Sequence, residues 1–465
     1  MTARPDSAPD PLRVAVIGAG PAGLFTADAL RRRDDLEARI DVFDRWPAPY
    51  GLVRDGVAPD HPSIKSVTRV FDAVLSDPRV RFLGNVRFGA DLGRDDLLRF
   101  YDQVIYAVGA QADRRLGIPG EDLRGSHAAT DFVRWYNGHP ERADFAFDLS
   151  AGRAVVIGNG NVALDVARIL VTDPAVLAAT DIADHALAAL QASRVREVVL
   201  VGRRGPAEAR FTNVELKEMG RLEGVEPVVH GGPQLVAEAA RAAGAAADDR
   251  RVARNLGILA DFAARPPAGA PRRVVFRFLA SPVEIQGRDG RAAGVRLEWN
   301  RLEPGPGGAP RAVGTGETET LEAGLVLRSV GYRGVPLPGL PFDERRGTVP
   351  NAAGRVLEEP GGAVRPREYV AGWIKRGPGG IIGTNKACGA ETAAAMAADA
   401  AAGGRAAPVR DPAALEDFLA ARCPYRVTFE DWRRIDAAET ERGAREGRPR
   451  VKFVRVEEML RVLED

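Results

Sequence analysis

Two short glycine-rich turns constrain this chain more than any other feature. Gly18-Ala19-Gly20-Pro21-Ala22-Gly23 follows the apolar run 14–17, and Gly158-Asn159-Gly160-Asn161-Val162-Ala163 follows the apolar run 154–157. An apolar run, a glycine turn and a helix-compatible stretch together open a βαβ unit. Each glycine has a mechanical role. The first permits the tight turn, the second lets a pyrophosphate approach the backbone, and the third lets helix and strand pack closely. The pyrophosphate then rests on free N–H groups at the helix N-terminus, where the dipole favours an anion. Two such turns predict an α/β chain with two Rossmann-like dinucleotide-binding domains.

The two turns differ in the residues placed after them. Asp44 stands at the end of the next expected strand, 40–43, about 20 residues beyond the first turn, where a carboxylate accepts from ribose hydroxyls. Arg203-Arg204 takes the corresponding place after the run 197–201. Guanidinium forks there match a ribose 2′-phosphate through charge-assisted hydrogen bonds. The second turn also ends in Ala163 instead of glycine, which suits NADP. A chain that holds two different dinucleotides reads most simply as an electron-transfer flavoprotein.

Composition narrows the classes. The 465 residues suit two or three domains, and the net charge of +1 argues against nucleic acid as a partner. No apolar stretch is long enough to span a bilayer. The 2 cysteines, Cys388 and Cys423, form no C-x-x-C, which excludes a redox dithiol and a cysteine-ligated cluster in this chain. A reducing, cytoplasmic compartment fits. The start, 1–11, is polar and proline-rich and reads as a frayed tail.

The runs 103–110 and 325–332 share one pattern, a buried strand closing on glycine, and suggest that the two halves are related folds. Asp173-Pro174 breaks a helix, and 175–192 reads as an extra helix. The stretch 235–264 has helical composition. A strand is expected at 272–278, a glycine–proline turn between antiparallel strands at 304–310, a short strand at 368–371 and a helix at 384–400. The tail 411–465 reads as helical and mixed. Because 369–400 looks like the end of the first fold, the second domain is expected as an insertion: 1–109 and 325–465 bind FAD, and 110–324 bind NADP.

The segments Tyr50-Gly51-Leu52-Val53-Arg54, Val57-Ala58-Pro59-Asp60-His61-Pro62, Val201-Gly202-Arg203-Arg204-Gly205-Pro206 and Gly372-Trp373-Ile374-Lys375-Arg376-Gly377-Pro378, with 158–165, resemble the adrenodoxin-reductase-type ferredoxin–NADP+ reductases. The resemblance runs from about Arg13 to the end of the chain. It implies non-covalent FAD, NADPH as donor, an iron–sulfur ferredoxin as acceptor and a monomer. Carried over by position, FAD touches Gly18, Gly20, Ala22, Gly23, Asp44, Leu52, Val86, Trp373, Gly380, Ile381 and Ile382. NADP touches Gly158, Asn159, Gly160, Asn161, Val162, Arg203, Arg204, Glu215 and Gly380. The same resemblance sets His61 near the nicotinamide with an acid beside it; Glu218, three residues after Glu215, is the candidate partner. The two form the expected catalytic pair, with His61 tuning geometry and charge.

The ferredoxin is typically acidic, so a basic docking face is expected, with Arg54, Lys65, Arg69, Lys375 and Arg376 as contributors. His127, His139, His185 and His230 are scattered without metal-ligand spacing, and no metal is expected. Alternatives are an NADPH-dependent flavin oxidoreductase with another acceptor (diaphorase- or monooxygenase-like) and a non-catalytic NADP(H) sensor. A glutamate-synthase small-subunit relative is disfavoured by the lack of cysteines before Cys388, and a disulfide reductase by the cysteine count.

Overall fold

The computed structural model describes residues 11–243, 249–305, 309–403 and 409–464. Ten of the eleven residues of the expected tail lie outside this range. Two sheets organise the chain. The first has seven strands in the order 351–352, 355–357, 364–370, 103–106, 12–17, 38–43, 80–83. Its last five strands run parallel. The second sheet is wholly parallel, in the order 126–128, 325–328, 153–157, 197–201, 272–277, 225–229.

Parallel strands are apolar on both faces because both are covered. In strand Leu12–Ile17, Val14 and Val16 enter the core under helices Pro21–Arg31 and Thr384–Ala401, while Ala15 and Ile17 enter the core on the opposite face. The same two-residue period divides strand Arg153–Ile157. Ala154 and Val156 face the helices, and Val155 and Ile157 face a three-stranded antiparallel sheet of Ala280–Arg288, Arg291–Pro304 and Pro310–Glu322.

The expected insertion needs one correction. Strand Leu325–Arg328 pairs with Arg153–Ile157 and Ser126–Ala128, so it belongs to the second sheet and not with 325–465 in the first. The chain returns just beyond it. There Tyr332–Arg333 pairs antiparallel with Ala112–Asp113, so the outgoing and returning segments run side by side. The expected helix 175–192 is two helices, Pro174–Leu177 and Asp184–Gln191, separated by a turn at Asp181. Helices Gly232–Ala242 and Arg250–Ala264 occupy most of 235–264, and residues 244–248 of that stretch lie outside the described range.

The tail folds as helices Pro412–Arg422, Phe429–Arg445 and Val456–Arg461. The segment before the last helix straps the two lobes together. Buried Lys452 donates to the carbonyls of Arg54 and Asn137 at 3.2 and 3.1 Å and pairs with Asp181 at 3.2 Å. Lys65 of the first lobe meets the same Asp181 at 2.7 Å. Arg448 donates to Thr180 and Asp184 of the second lobe at 3.1 and 2.6 Å.

Candidate functional site

The first glycine turn lies at the carboxyl ends of the first sheet's central strands. A Cβ on Gly23 would lie 2.0 Å from the carbonyl of Gly18, so only glycine lets this helix approach. Gly20 faces the other way: the nearest atom to a Cβ there is Gly51 Cα at 3.9 Å. The middle position is thus open to a ligand while the last is closed by packing. Asp44 accepts from the N–H groups of Ala19 and Trp46 at 2.8 and 3.0 Å, and burial pushes its carboxyl up to about 6. Val86 is buried beside it, its N–H donating to Asp44 O at 2.8 Å.

Gly372 reaches the same edge from the far strand. With φ +75°, a Cβ there would sit 2.4 Å from that of Ala22. Trp373 follows, its ring 5.1 Å from that of Tyr332 and its indole N–H donating to Gly379. Gly380 and Ile381 are exposed, Ile382 packs partly on the core, and Leu52 opens the helix Leu52–Asp55 directly after Gly51. The open glycine, the carboxylate and this glycine-rich loop fit an adenine dinucleotide carrying a flavin.

The second turn repeats the geometry. A Cβ on Gly158 would lie 2.1 Å from the carbonyl of Ser329, whereas one on Gly160 would meet nothing within 4 Å. Asn159 lies across Gly202, and its carbonyl accepts from Arg210 N at 2.9 Å. Asn161 Oδ1 accepts from Thr212 N at 2.8 Å, which ties the start of the helix to the next loop. Val162 packs partly on the core. Arg203 and Arg210 are exposed and Arg204 half-buried; burial, then Arg210 and Arg203, pull the Arg204 guanidinium below its usual range. None of the three side chains forms an ion pair among the described residues. Such a cluster of cations is suited to a phosphate. Arg210 was not expected from the sequence; what brings it in is a tertiary backbone bond to Asn159.

Between the lobes, His61 directly precedes the short helix Pro62–Lys65 on the first lobe and faces the second. Its Nε2 lies 2.8 Å from Glu218 and 3.7 Å from Glu215, and its Nδ1 4.0 Å from Asp165. Helix Asn213–Met219 carries both glutamates, and Thr212 caps that helix. Burial pushes Glu215 up to about 7, with Asp165 adding to the effect. Glu215 thus lies with His61. Arg168 joins the group, 2.9 Å from Asp165 and 3.4 Å from Glu215. His61, Asp165 and Glu215 place donor atoms within 4.8 Å of one another, a grouping the spacing of histidines did not reveal, and Arg168 supplies the positive charge there. A cavity of about 190 Å³ opens onto Asp60, His61, Arg168 and Glu218. A larger one, about 1020 Å³, lies at the amino end of the second sheet beside Arg153 and Glu197, and holds none of the expected site residues.

The expected docking cations are mostly internal. Arg54 is buried against Glu439 at 2.8 Å, Lys65 against Asp181, and Lys375 meets Glu391 at 2.6 Å. Arg376 donates to Asn385 at 3.0 Å and to the Gly379 carbonyl. Arg69 alone of the five is exposed. The remaining histidines hold structure: His185 bonds the Trp135 carbonyl, His139 caps a turn and His230 stacks on Trp299.

Residues 12–214 match the pyridine nucleotide-disulphide oxidoreductase family. The chain belongs to this family and, within it, to the adrenodoxin-reductase-type ferredoxin–NADP+ reductases. It is 48% identical over 461 residues to the NADPH-ferredoxin reductase FprA of Mycobacterium tuberculosis, covering 97% of this chain and 99% of that one. It is 41% identical to the mitochondrial NADPH:adrenodoxin oxidoreductase of Arabidopsis thaliana, over 97% and 95% of the two chains. The structure of Mycobacterium tuberculosis FprA in complex with NADPH superposes with a TM-score of 0.92 at 47% identity, covering 98% of this chain and all of that one.

Proposed function

We propose that this chain is an FAD-containing ferredoxin–NADP+ reductase that takes a hydride from NADPH and passes electrons singly to an iron–sulfur ferredoxin. The observation that carries the reading is a pair of open middle glycines, Gly20 and Gly160, one followed by a carboxylate and the other by arginines without an ion-pair partner among the described residues. When bound, FAD supplies the conversion between a two-electron donor and a one-electron acceptor, which side chains cannot perform.

The chain's own residues bind and orient. Gly18, Gly20, Ala22 and Gly23 bring backbone to the FAD pyrophosphate, and Asp44 accepts from its ribose. Leu52, Val86, Trp373, Gly380, Ile381 and Ile382 line the rest of that cofactor's path. Gly158, Asn159, Gly160, Asn161 and Val162 hold the NADP pyrophosphate, while Arg203 and Arg204, with Arg210, hold the 2′-phosphate. His61, with Glu215 and Glu218 beside it, tunes geometry and charge next to the reacting rings, and Gly380 contacts both dinucleotides. The relatives' names support a ferredoxin acceptor, and two buried, unpaired thiols suit a reducing cytoplasm. The protein acts as a monomer. NADPH added anaerobically to the purified yellow protein bleaches the flavin band; a band left unchanged overturns the reading.

A further inference from the structure

One buried cation in the His61 group has no part in the roles above. Arg168 is 2% exposed and lies on helix Asn161–Val171 of the second lobe. Its Nε and Nη2 donate to the two carboxylate oxygens of Asp60 at 2.7 and 2.9 Å. Asp60 belongs to the first lobe and precedes His61 in the chain. The same guanidinium lies 2.9 Å from Asp165, 3.4 Å from Glu215 and 3.7 Å from Glu218. It therefore touches every one of the four carboxylates gathered around His61.

The charges require such a residue. Asp165, Glu215 and Glu218 converge on the His61 imidazole and Asp60 precedes it in the chain, and partly buried carboxylates this close cannot all ionise without a compensating cation. Arg221 lines the same cavity but forms no ion pair with these carboxylates among the described residues, and the phenols of Tyr136 and Tyr332 feel the Asp165 charge. Neither phenol carries positive charge. A guanidinium also does what an ammonium cannot: its planar fork fixes the carboxylate plane of Asp60 through two parallel bonds. Pro59 and Pro62 flank the turn, so orienting Asp60 orients His61.

We propose that Arg168 is the positioning residue of this site, docking the His61 turn of one lobe onto the acidic helices of the other and setting how His61, Glu215 and Glu218 share their protons. The inference rests on the reductase reading. Arg168 acts through Asp60 and the glutamates, so its removal perturbs protonation and orientation together.

The test compares wild type with Arg168→Gln, Arg168→Lys and Asp60→Asn as holoproteins. Two quantities are read across the neutral pH range: the rate of anaerobic flavin reduction by NADPH, and the ring resonances of His61, one of only 5 histidines, assigned by His61→Gln. In Arg168→Gln the midpoint of the cluster's titration rises by about 1 unit or more, since losing an opposite charge shifts neighbouring groups by roughly that much. Flavin reduction slows about 10- to 100-fold, the scale of a misplaced group outside the chemistry. Arg168→Lys restores the midpoint but only part of the rate. Asp60→Asn, which also covers the case of a Gln variant that fails to fold, lowers the midpoint and slows reduction. Titration curves for Arg168→Gln and Asp60→Asn that superpose on wild type overturn the proposal. Wild-type flavin that NADPH does not reduce overturns the reductase reading instead.

Discussion

Replacing Arg203 and Arg204 together by alanine tests how the second site selects its dinucleotide. Neither side chain forms an ion pair among the described residues, so their removal leaves the fold intact. Charge-assisted hydrogen bonds contribute about 1.5–3 kcal/mol each, and two sharing one phosphate contribute less than their sum. A loss of about 2–4 kcal/mol weakens NADPH by roughly 30- to 800-fold. Arg210, anchored to Asn159 at 2.9 Å through its backbone, retains the remaining attraction. NADH carries no 2′-phosphate, so its affinity stays near the wild-type value. The assay is a titration of both nucleotides against the flavin spectrum, supported by calorimetry with NADP+. A double variant that keeps the wild-type preference for NADPH over NADH refutes the assignment, because Arg210 alone cannot replace two guanidinium forks on one phosphate.

Three further outcomes follow from the geometry. Gly160→Ala adds a methyl group that meets no protein atom within 4 Å, so it leaves folding and flavin content unchanged yet weakens NADPH about tenfold, from a steric cost of about 1–3 kcal/mol; unaltered affinity in a titration contradicts it. Asp44 sits near 6 before its ribose binds, and hydroxyl donors favour the ionised form. FAD affinity therefore falls about tenfold per unit as pH drops below about 6, and Asp44→Asn abolishes that slope; a flat pH profile for the wild-type dissociation constant argues against this. Asp181 is held well below the usual carboxylate range despite burial by Lys452 and Lys65, so its own contribution is present above the ordinary carboxylate pKa and fades in strong acid, while burial pulls its partner Lys65 down to about 7 and weakens that pair as pH rises past it. Asp181→Asn leaves buried Lys452 without its carboxylate at a cost of about 3–5 kcal/mol, read as a thermal midpoint several degrees lower; an unchanged midpoint shows that the seam does not hold the lobes.

The two glycine turns were legible because strand, turn and helix are contiguous, and because sterics at Gly23 and Gly158 leave no alternative residue. Asp44 and Arg203-Arg204 stand where the contiguous pattern puts them, each just beyond the end of the next strand. The boundary at Leu325 was not: a buried parallel strand has the same composition whichever sheet accepts it, and only pairing with Val155 and its neighbours decides. The docking cations failed for a related reason. Arg54 and Lys65 look like solvated charges until Glu439 and Asp181 arrive from distant parts of the chain, and Lys375 until the next helix brings Glu391. Asp165 and Arg168 did leave a trace. They are the two charged residues of helix Asn161–Val171, which is otherwise apolar beyond its first residue, and a charge in such a helix must find a buried partner.

Cytochrome c reduction by NADPH, with and without added ferredoxin, measures electron transfer from NADPH through this chain to a ferredoxin directly. Reduction is slow with the reductase alone and strongly stimulated by ferredoxin. Prompt flavin reduction with no stimulation by any of several ferredoxins would contradict it and assign the electrons to a different acceptor.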